Sequence, residues 1–412
     1  MSRPGTTSRL SPLHRLWRRL PAQGRRRLLA RATALVAPRP DPAPPPARGG
    51  LIVAGEFGRA SGLGEGARLM LRGVEALGVP AWPVMTPATG RDSADDGVPP
   101  TGEPPAGAPL IVHVNAPMLP LALLRLPRGM ARGRRVIGYW AWELPTLPPT
   151  WREGARFVHE VWVPSHFTRA AIETLLPGRV RVVPHPLALA PPVPARLDRA
   201  AFGLPDDAVI VLVSFNLASS FARKNPLGAI AAFRRAFGTR ADRLLVLKVG
   251  NPQDFPEDFR RLHEAAAELA NLRLETRTLP AAENHALTAC ADIVLSLHRS
   301  EGFGLVPAEA MLLGKPVVAT GWSGNTDFMT DETSALVGYR LVPARDPRGV
   351  FEAPGAVWAE PDLDDAAAQL RRLADSREQR VALGAQAREG GRARLGAAPL
   401  AEALRGLGLA VP

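Results

Sequence analysis

Two glutamates eight residues apart, Glu301 and Glu309, frame the most chemically suggestive stretch of this 412-residue chain, SLHRSEGFGLVPAEAMLLGKPVVATGWSGNTDFM at residues 296–329. A short apolar run leads into Glu301, and Gly302-Phe303-Gly304 makes a turn that opens a helix. Pro307 falls in the first helical turn, where proline is tolerated, and Glu309 lies inside the helix. Unpaired N–H groups at a helix start, together with the positive end of its dipole, favour an anionic or hydroxyl-rich ligand. The backbone from Gly302 to Leu305 can then approach a sugar or phosphate, while the two acids grip two different hydroxyl-bearing parts of it. The spacing of the acids is commonplace by itself. The combination of strand, E-G-F-G turn, helix, second acid and following GKPVVAT sets the stretch apart.

Lysine is scarce: Lys224, Lys248 and Lys315 are the only three among 51 basic residues. Lys224 lies in SSFARKNPLGAI, after an apolar run and before a helix, where a cation can neutralise a diphosphate leaving group. Arg223 is its natural partner. Lys248 ends the run LLVLKVG and either reaches the same cleft or marks a surface strand end. Lys315, in the turn GKPV, is expected to be structural.

Earlier in the chain, GEFGRASGLGEGARLM places Gly62 and Gly64 at a strand-to-helix turn with Arg68 behind them, a turn that lets backbone approach a phosphate or sugar. His113 and Asn115 stand in LIVHVNAPM where the apolar run ends, as cleft-facing polar residues or as satisfied strand-end residues. GYWAWELP brings Trp140, Trp142 and Glu143 to another strand end, to stack on sugar rings or to form core and rim. His166 and His185 suit a helix cap and a linker, and no His, Cys and carboxylate set has zinc-like spacing, so no metal is expected. Cys290, the single cysteine, sits in an apolar Ala-Cys-Ala context and suits a small core residue.

These groups need a scaffold that brings strand ends together. From Leu51 onward, short apolar runs alternate with amphipathic stretches (LIVAG, a helix near Glu65 to Leu77, LIVHV, RVIGYW, VWVPS, RVRVV), and a second cycle starts at VIVLVSF. Strands alternating with helices imply parallel sheets covered on both faces. The expected division is a tail over 1–48, a first Rossmann-like domain over 49–190, a Pro-rich linker over 191–205, a second Rossmann-like domain over 206–385 and a helical segment over 386–412. In open α/β sheets ligands bind beyond the carboxyl ends of the strands, so the active site belongs in the cleft between the domains.

The formal net charge of +12 suggests nucleic acid at first sight, but the tail holds 11 arginines against one acid, Asp41, and the remaining body is nearly neutral. Duplex DNA is therefore not an expected partner. Within the tail, Leu13, Leu16, Trp17 and Leu20 recur at helical spacing among arginines, which suits an anionic membrane surface or, equally, a solvated flexible extension. Pro21 and Gly24 would interrupt a long helix there. With no apolar run long enough to span a bilayer and no secretory signal pattern, the expected location is cytoplasmic, with peripheral contact at the inner membrane face as an option.

On residues 296–329 and their surroundings, the chain resembles the retaining GT-B glycosyltransferases of the glycosyl transferases group 1 type (glycosyltransferase family 4), and its GWSGNTDFM ending is mannosyltransferase-like. The resemblance implies an α/β fold of two Rossmann-like domains facing across a cleft, and transfer of a hexose from a nucleoside-diphosphate sugar to a glycan or lipid-linked hydroxyl without metal. It implies that Glu301 holds the donor sugar, Glu309 the ribose, and Arg223 with Lys224 the departing diphosphate. Gly62, Gly64, Gly302, Phe303, Gly304, Leu305 and Lys248 join the donor-binding set. Relatives carry the arginine nearer Asn216 or Leu217, and place an acceptor-side histidine where Asn115 stands, two residues after His113. GDP-mannose is the favoured donor, UDP-linked glucose the next. Other readings are a nucleotide-sugar epimerase of the same architecture and a non-catalytic scaffold tethered by the tail.

Overall fold

The computed structural model describes residues 22–59, 61–86, 103–351 and 353–412. The apolar runs become two six-stranded sheets, and every pairing within each sheet is parallel. The first contains β1 (Leu51–Gly55), β2 (Ala81–Met85), β3 (Leu110–Val112), β4 (Val136–Tyr139), β5 (Glu160–Val163) and β6 (Val180–Val182), in the order β2-β1-β3-β4-β5-β6. The second contains β7 (Val209–Asn216), β8 (Arg243–Gly250), β9 (Leu272–Glu275), β10 (Ile293–Ser296), β11 (Val317–Thr320) and β12 (Ala335–Val337), in the order β12-β11-β10-β7-β8-β9. Helices lie on both faces of a parallel sheet, so its strands can be apolar throughout, and all five residues of β1 are buried.

In each sheet the first strand lies inside, with successors on either side. β1 pairs with β2 and β3, registering Ile52 with Leu110, and β7 pairs with β8 and β10, registering Val211 with Ile293. The strand order therefore reverses between β1 and β3, and again between β7 and β10. Such a switch point opens a crevice at the carboxyl ends of the two strands, because the helices that follow them leave toward opposite faces.

Two later segments return to the first domain. The helix Ala398–Gly406 packs Leu400, Ala403 and Leu404 into the core that contains Leu51 and Val53. The loop between β13 (Tyr339–Pro343) and β14 (Val357–Pro361), an antiparallel pair, adds Phe351 and Ala356 to the core of Trp140, Trp142 and Trp151.

Part of the stretch expected as a flexible tail is folded onto the first domain. Residues Ala22–Val36 form a helix that begins directly after Pro21 and takes Gly24 into its first turn; Ala30 and Thr33 on it are buried, as is Ala37 just beyond its end. Asp41 accepts a hydrogen bond from the Gly133 N–H at 2.9 Å, and its carbonyl is 2.9 Å from the His159 Nε2. The stripe of Leu13, Leu16, Trp17 and Leu20 lies outside the described residues. Among the described residues no helix is long and apolar enough to cross a membrane.

Candidate active site

The second sheet's switch point collects the charged candidates, because the chain leaving β7 carries Arg223 and Lys224 and the chain leaving β10 carries Glu301. The one-turn helix Phe221–Lys224 is capped by Ser220, a residue with φ of 86°, whose hydroxyl accepts the Arg223 N–H at 3.3 Å. After β10 the chain turns through Gly302 and Gly304 into the helix Leu305–Leu312. Gly304 has φ of +104°, a conformation that favours glycine, and a Cβ on Gly302 would sit 3.1 Å from the Trp142 carbonyl oxygen, a tight contact that a side chain there would make only by shifting its neighbour.

Glu301 accepts Lys224 Nζ at 2.5 Å on one carboxylate oxygen and Arg223 Nη1 at 3.0 Å on the other. Burial alone would raise its pKa, but Lys224 and Arg223 overcome that and hold it well below the ordinary carboxylate range. Burial lowers the Lys224 ammonium, against the opposing pull of Glu301. Arg223 also donates to the Ser300 carbonyl at 2.7 Å and the Ser219 carbonyl at 3.1 Å. Its Nη2 lies 3.6 Å from Glu143 of the first domain. The group is compact and enclosed, with the Glu301 side chain 10% exposed and that of Arg223 3%.

Hydrogen bonds fasten the two domains together around the same turn. The Gly302 carbonyl accepts Ser165 Oγ at 2.6 Å and Thr168 Oγ1 at 3.2 Å, and Ser300 Oγ donates to the Glu143 carbonyl. The His166 N–H donates to Asp327 at 2.7 Å. Phe303 is buried against His185 and Phe328, so it anchors the turn instead of lining the cleft.

Glu309 stands apart from this group, half-buried and without an ion pair among the described residues. Burial pushes its carboxyl up to about 8; Glu65 of the first domain adds to the shift and Arg72 opposes it. Leu305 faces Gly62, where an added Cβ would lie 4.0 Å from the Leu305 Cδ1. Gly62 and Gly64 fall within the first turn of the helix Gly62–Ala76, which starts three residues before the expected Glu65. Ser61 caps it by accepting the Gly64 N–H at 3.1 Å. Arg68, bonded to Glu65 at 2.7 Å and to the Phe57 carbonyl, braces that loop.

Three other candidates are placed elsewhere. Lys248 donates to the Arg277 carbonyl at 2.7 Å and faces Glu275 on β9, away from Glu301. His113 is buried and stacks on Tyr139 with ring centroids 4.4 Å apart, and neither ring nitrogen has a hydrogen-bond partner among the described residues. Burial, with His185 nearby, keeps it neutral by lowering its pKa well below the usual value. Asn115 is occupied by the backbone of Ala141, accepting its N–H at 2.9 Å and donating to its carbonyl at 2.8 Å. Trp140 is fully buried, so it is unable to stack on a sugar.

Two residues of the site carried little signal in the sequence. Glu143 lay among aromatics and looked like part of a stacking surface, and Phe351 lies in a Gly/Pro-rich stretch without periodicity. The Phe351 ring stacks on Trp142 at 5.5 Å and lies over the Arg223 guanidinium at 5.0 Å. Two surface hollows lie elsewhere, one lined by Arg299, Arg345 and Trp358 and one by Val84, Met85 and Arg128. Both leave out Glu301 and Lys224, and the convergence of charge at the switch point locates the site better than the size of a hollow. Among the described residues no group of three or more His, Cys, Asp or Glu side chains is placed to hold a metal ion.

With this geometry in view, residues 212–359 match the family model described as "Glycosyl transferases group 1", a span that contains Arg223, Lys224, Glu301 and Glu309. The sequence is 36% identical to a D-inositol 3-phosphate glycosyltransferase of Saccharomonospora viridis over 170 residues, 40% of this chain and 38% of that protein. The match thus spans about two fifths of that relative's length. In architecture the chain is similar to sucrose-phosphate synthase from Thermosynechococcus elongatus, with a TM-score of 0.61 at 19% identity over 89% of this chain and 99% of that one. It is also similar to HepE from Anabaena, solved with UDP and glucose, with a TM-score of 0.57 at 13% identity over 86% and 99% of the two chains. The fold is GT-B: two Rossmann-like domains with a cleft between them.

Proposed function

We propose that the protein is a glycosyltransferase that moves a hexose from a nucleoside-diphosphate sugar to a hydroxyl of a glycan or lipid-linked acceptor. The observation that carries this reading is the buried group of Glu301, Lys224 and Arg223, built at a switch point by the segment that matches the family model. In the proposed reaction an acceptor oxygen attacks the anomeric carbon and the bond from that carbon to the diphosphate breaks. The electron pair leaves with the diphosphate, whose charge Lys224 and Arg223 stabilise, as fixed cations in a water-poor site do effectively. Glu301 holds sugar hydroxyls, and Glu309, kept protonated at neutral pH, can donate as well as accept toward a ribose diol.

Retention of configuration, independence from metal, the division into an acceptor domain over 49–190 and a donor domain over 206–385, and a role in envelope polysaccharide synthesis at the cytoplasmic membrane face all belong to this proposal. For the donor, GDP-mannose and a UDP-hexose both remain in it; the UDP and glucose in the HepE structure favour the latter. The exposed Leu28, Leu35 and Val36 beside Arg26, Arg27 and Arg31 on the helix Ala22–Val36 support contact with an anionic membrane.

Calorimetric titration of GDP, UDP and ADP into the full chain and into Lys224→Ala, without added metal, tests the reading. One nucleotide should bind, and the variant should lose about 1–3 kcal/mol, as removal of a charged hydrogen-bond donor does. Absence of binding by all three would move the scaffold reading ahead.

A further inference from the structure

Arg223 is shared between the domains. One side of its guanidinium belongs to the second domain, through Glu301, Ser300 and Ser219; the other side meets the Glu143 carboxylate at 3.6 Å, and the Phe351 ring covers it at 5.0 Å. Both Nη groups of Arg223 are engaged by these contacts, and its Nε–H, without a hydrogen-bond partner among the described residues, is buried, so a diphosphate reaches an Nη only where one contact gives way. Glu143 is the weakest of them. Its distance is beyond a direct hydrogen bond, whereas the contacts to Glu301 and to Ser300 are 3.0 and 2.7 Å.

We infer that Glu143 and the donor's diphosphate compete for the same face of Arg223, so that Glu143 acts as a stand-in anion that the donor must displace. The inference rests on the nucleotide-sugar reading above. The loop that carries Glu143 is fixed where such competition matters: the Glu143 carbonyl accepts Ser300 Oγ, and the Trp142 carbonyl accepts Thr168 Oγ1 at 3.0 Å while Thr168 also reaches Gly302. Displacing the carboxylate would remove the Arg223–Glu143 contact between the domains while these main-chain hydrogen bonds hold the loop in place. The charged groups facing Glu143 are Arg223 and Lys224, which attract it, and Glu301, which repels it; burial dominates and raises its carboxyl, which marks a poorly compensated anion.

The experiment is titration of UDP, GDP and ADP into the full-length wild type, Glu143→Gln and Phe351→Ala, with the melting temperature of each recorded. Glu143→Gln should bind the preferred nucleotide about 3–10-fold more tightly, because removing a competitor raises the binding-competent fraction, and Phe351→Ala should gain less. A wild type that binds while a normally melting Glu143→Gln gains nothing overturns this inference alone. Should Glu143→Gln melt early, Glu143→Asp decides: it keeps the charge but draws the carboxylate back from Arg223 by one methylene, so tighter binding supports the competition and unchanged binding overturns it. No binding by any variant removes the donor reading and the inference together.

Discussion

The two switch points occupy equivalent places in two similar sheets, yet one is filled with charge and the other with rings. Between β7 and β10 stand Glu301, Arg223 and Lys224, with Glu143 reaching in from the facing domain. Near the crevice of β1 and β3, His113 stacks on Tyr139, Tyr139 meets His185 at 5.3 Å, and His185 meets Phe303 of the Gly302–Gly304 turn at 4.9 Å. One fold supplies two crevices, and residue type decides which becomes a site for an anion and which a packed joint.

The comparison is broken most severely by Glu301→Ala. It would leave Arg223 and Lys224 enclosed with their main counter-charge gone, and losing one partner of a buried pair costs about 3–5 kcal/mol. Urea unfolding should show that loss, and the proposed nucleotide-sugar transfer should disappear with it. A loss below about 1 kcal/mol, the range of exposed pairs, would mean that the group is solvated in solution.

Acid should attack the ring-filled side as well. His113 and His185 are buried and held neutral, the latter with its pKa lowered to about 3; on the charged side His298 is lowered to about 4. A group with a depressed folded pKa contributes stability that is complete above its unfolded value, near 6.5, and is lost as pH falls toward the folded value. Stability should therefore decline from about pH 6.5 downward, by up to about 1.4 kcal/mol per pH unit for each histidine, before most carboxylates titrate. A flat stability profile between pH 6.5 and 5 would count against all three being buried.

Much of this was legible from the sequence on the charged side. The alternation of apolar runs gave the two sheets, and Glu301, Lys224 and the Gly302 and Gly304 turn could be read because strand, turn and helix follow one another within a few residues. Arg223 was readable as a neighbour of Lys224, although its contact with Glu143 depends on a residue 80 positions away in the chain. The ring-filled side was less legible: whether His113 and Asn115 face a cleft or a core depends on partners from β4, Tyr139 and Ala141, that local pattern does not reveal. Lys248 was ambiguous for the same reason, its partners lying on or next to β9. The docked helix Ala22–Val36 was missed because its many arginines outweighed the few residues, such as Ala30 and Thr33, that it buries.

Glu309 lies toward the joint and gives a smaller effect of opposite sign. Its folded pKa, about 8, is above the unfolded value, so the stability it contributes is full at acidic pH and is lost as pH rises through the folded value. Glu309→Gln should remove that loss and raise the melting temperature at pH 8 by a few degrees relative to wild type, with little change at pH 5. An equal shift at both pH values would show that packing, and not ionisation, is responsible. If Glu309 also holds the ribose, the variant should bind nucleotide more weakly while remaining the more stable protein at pH 8.

Asn115 gives the smallest effect and the sharpest separation of the two crevices. Among the described residues its side chain makes two hydrogen bonds, both to Ala141, which fix the strand end that leads to Trp142 and Glu143. Asn115→Ala removes both and exposes the Ala141 backbone groups to a poorer environment, at a cost of about 1–2 kcal/mol. Nucleotide affinity should stay within about twofold of wild type if Asn115 only fixes the joint, since a change of 1.4 kcal/mol would be tenfold. A tenfold loss in binding without loss of stability would instead put Asn115 in contact with the donor, and the ring-filled crevice would have to be regarded as part of the site.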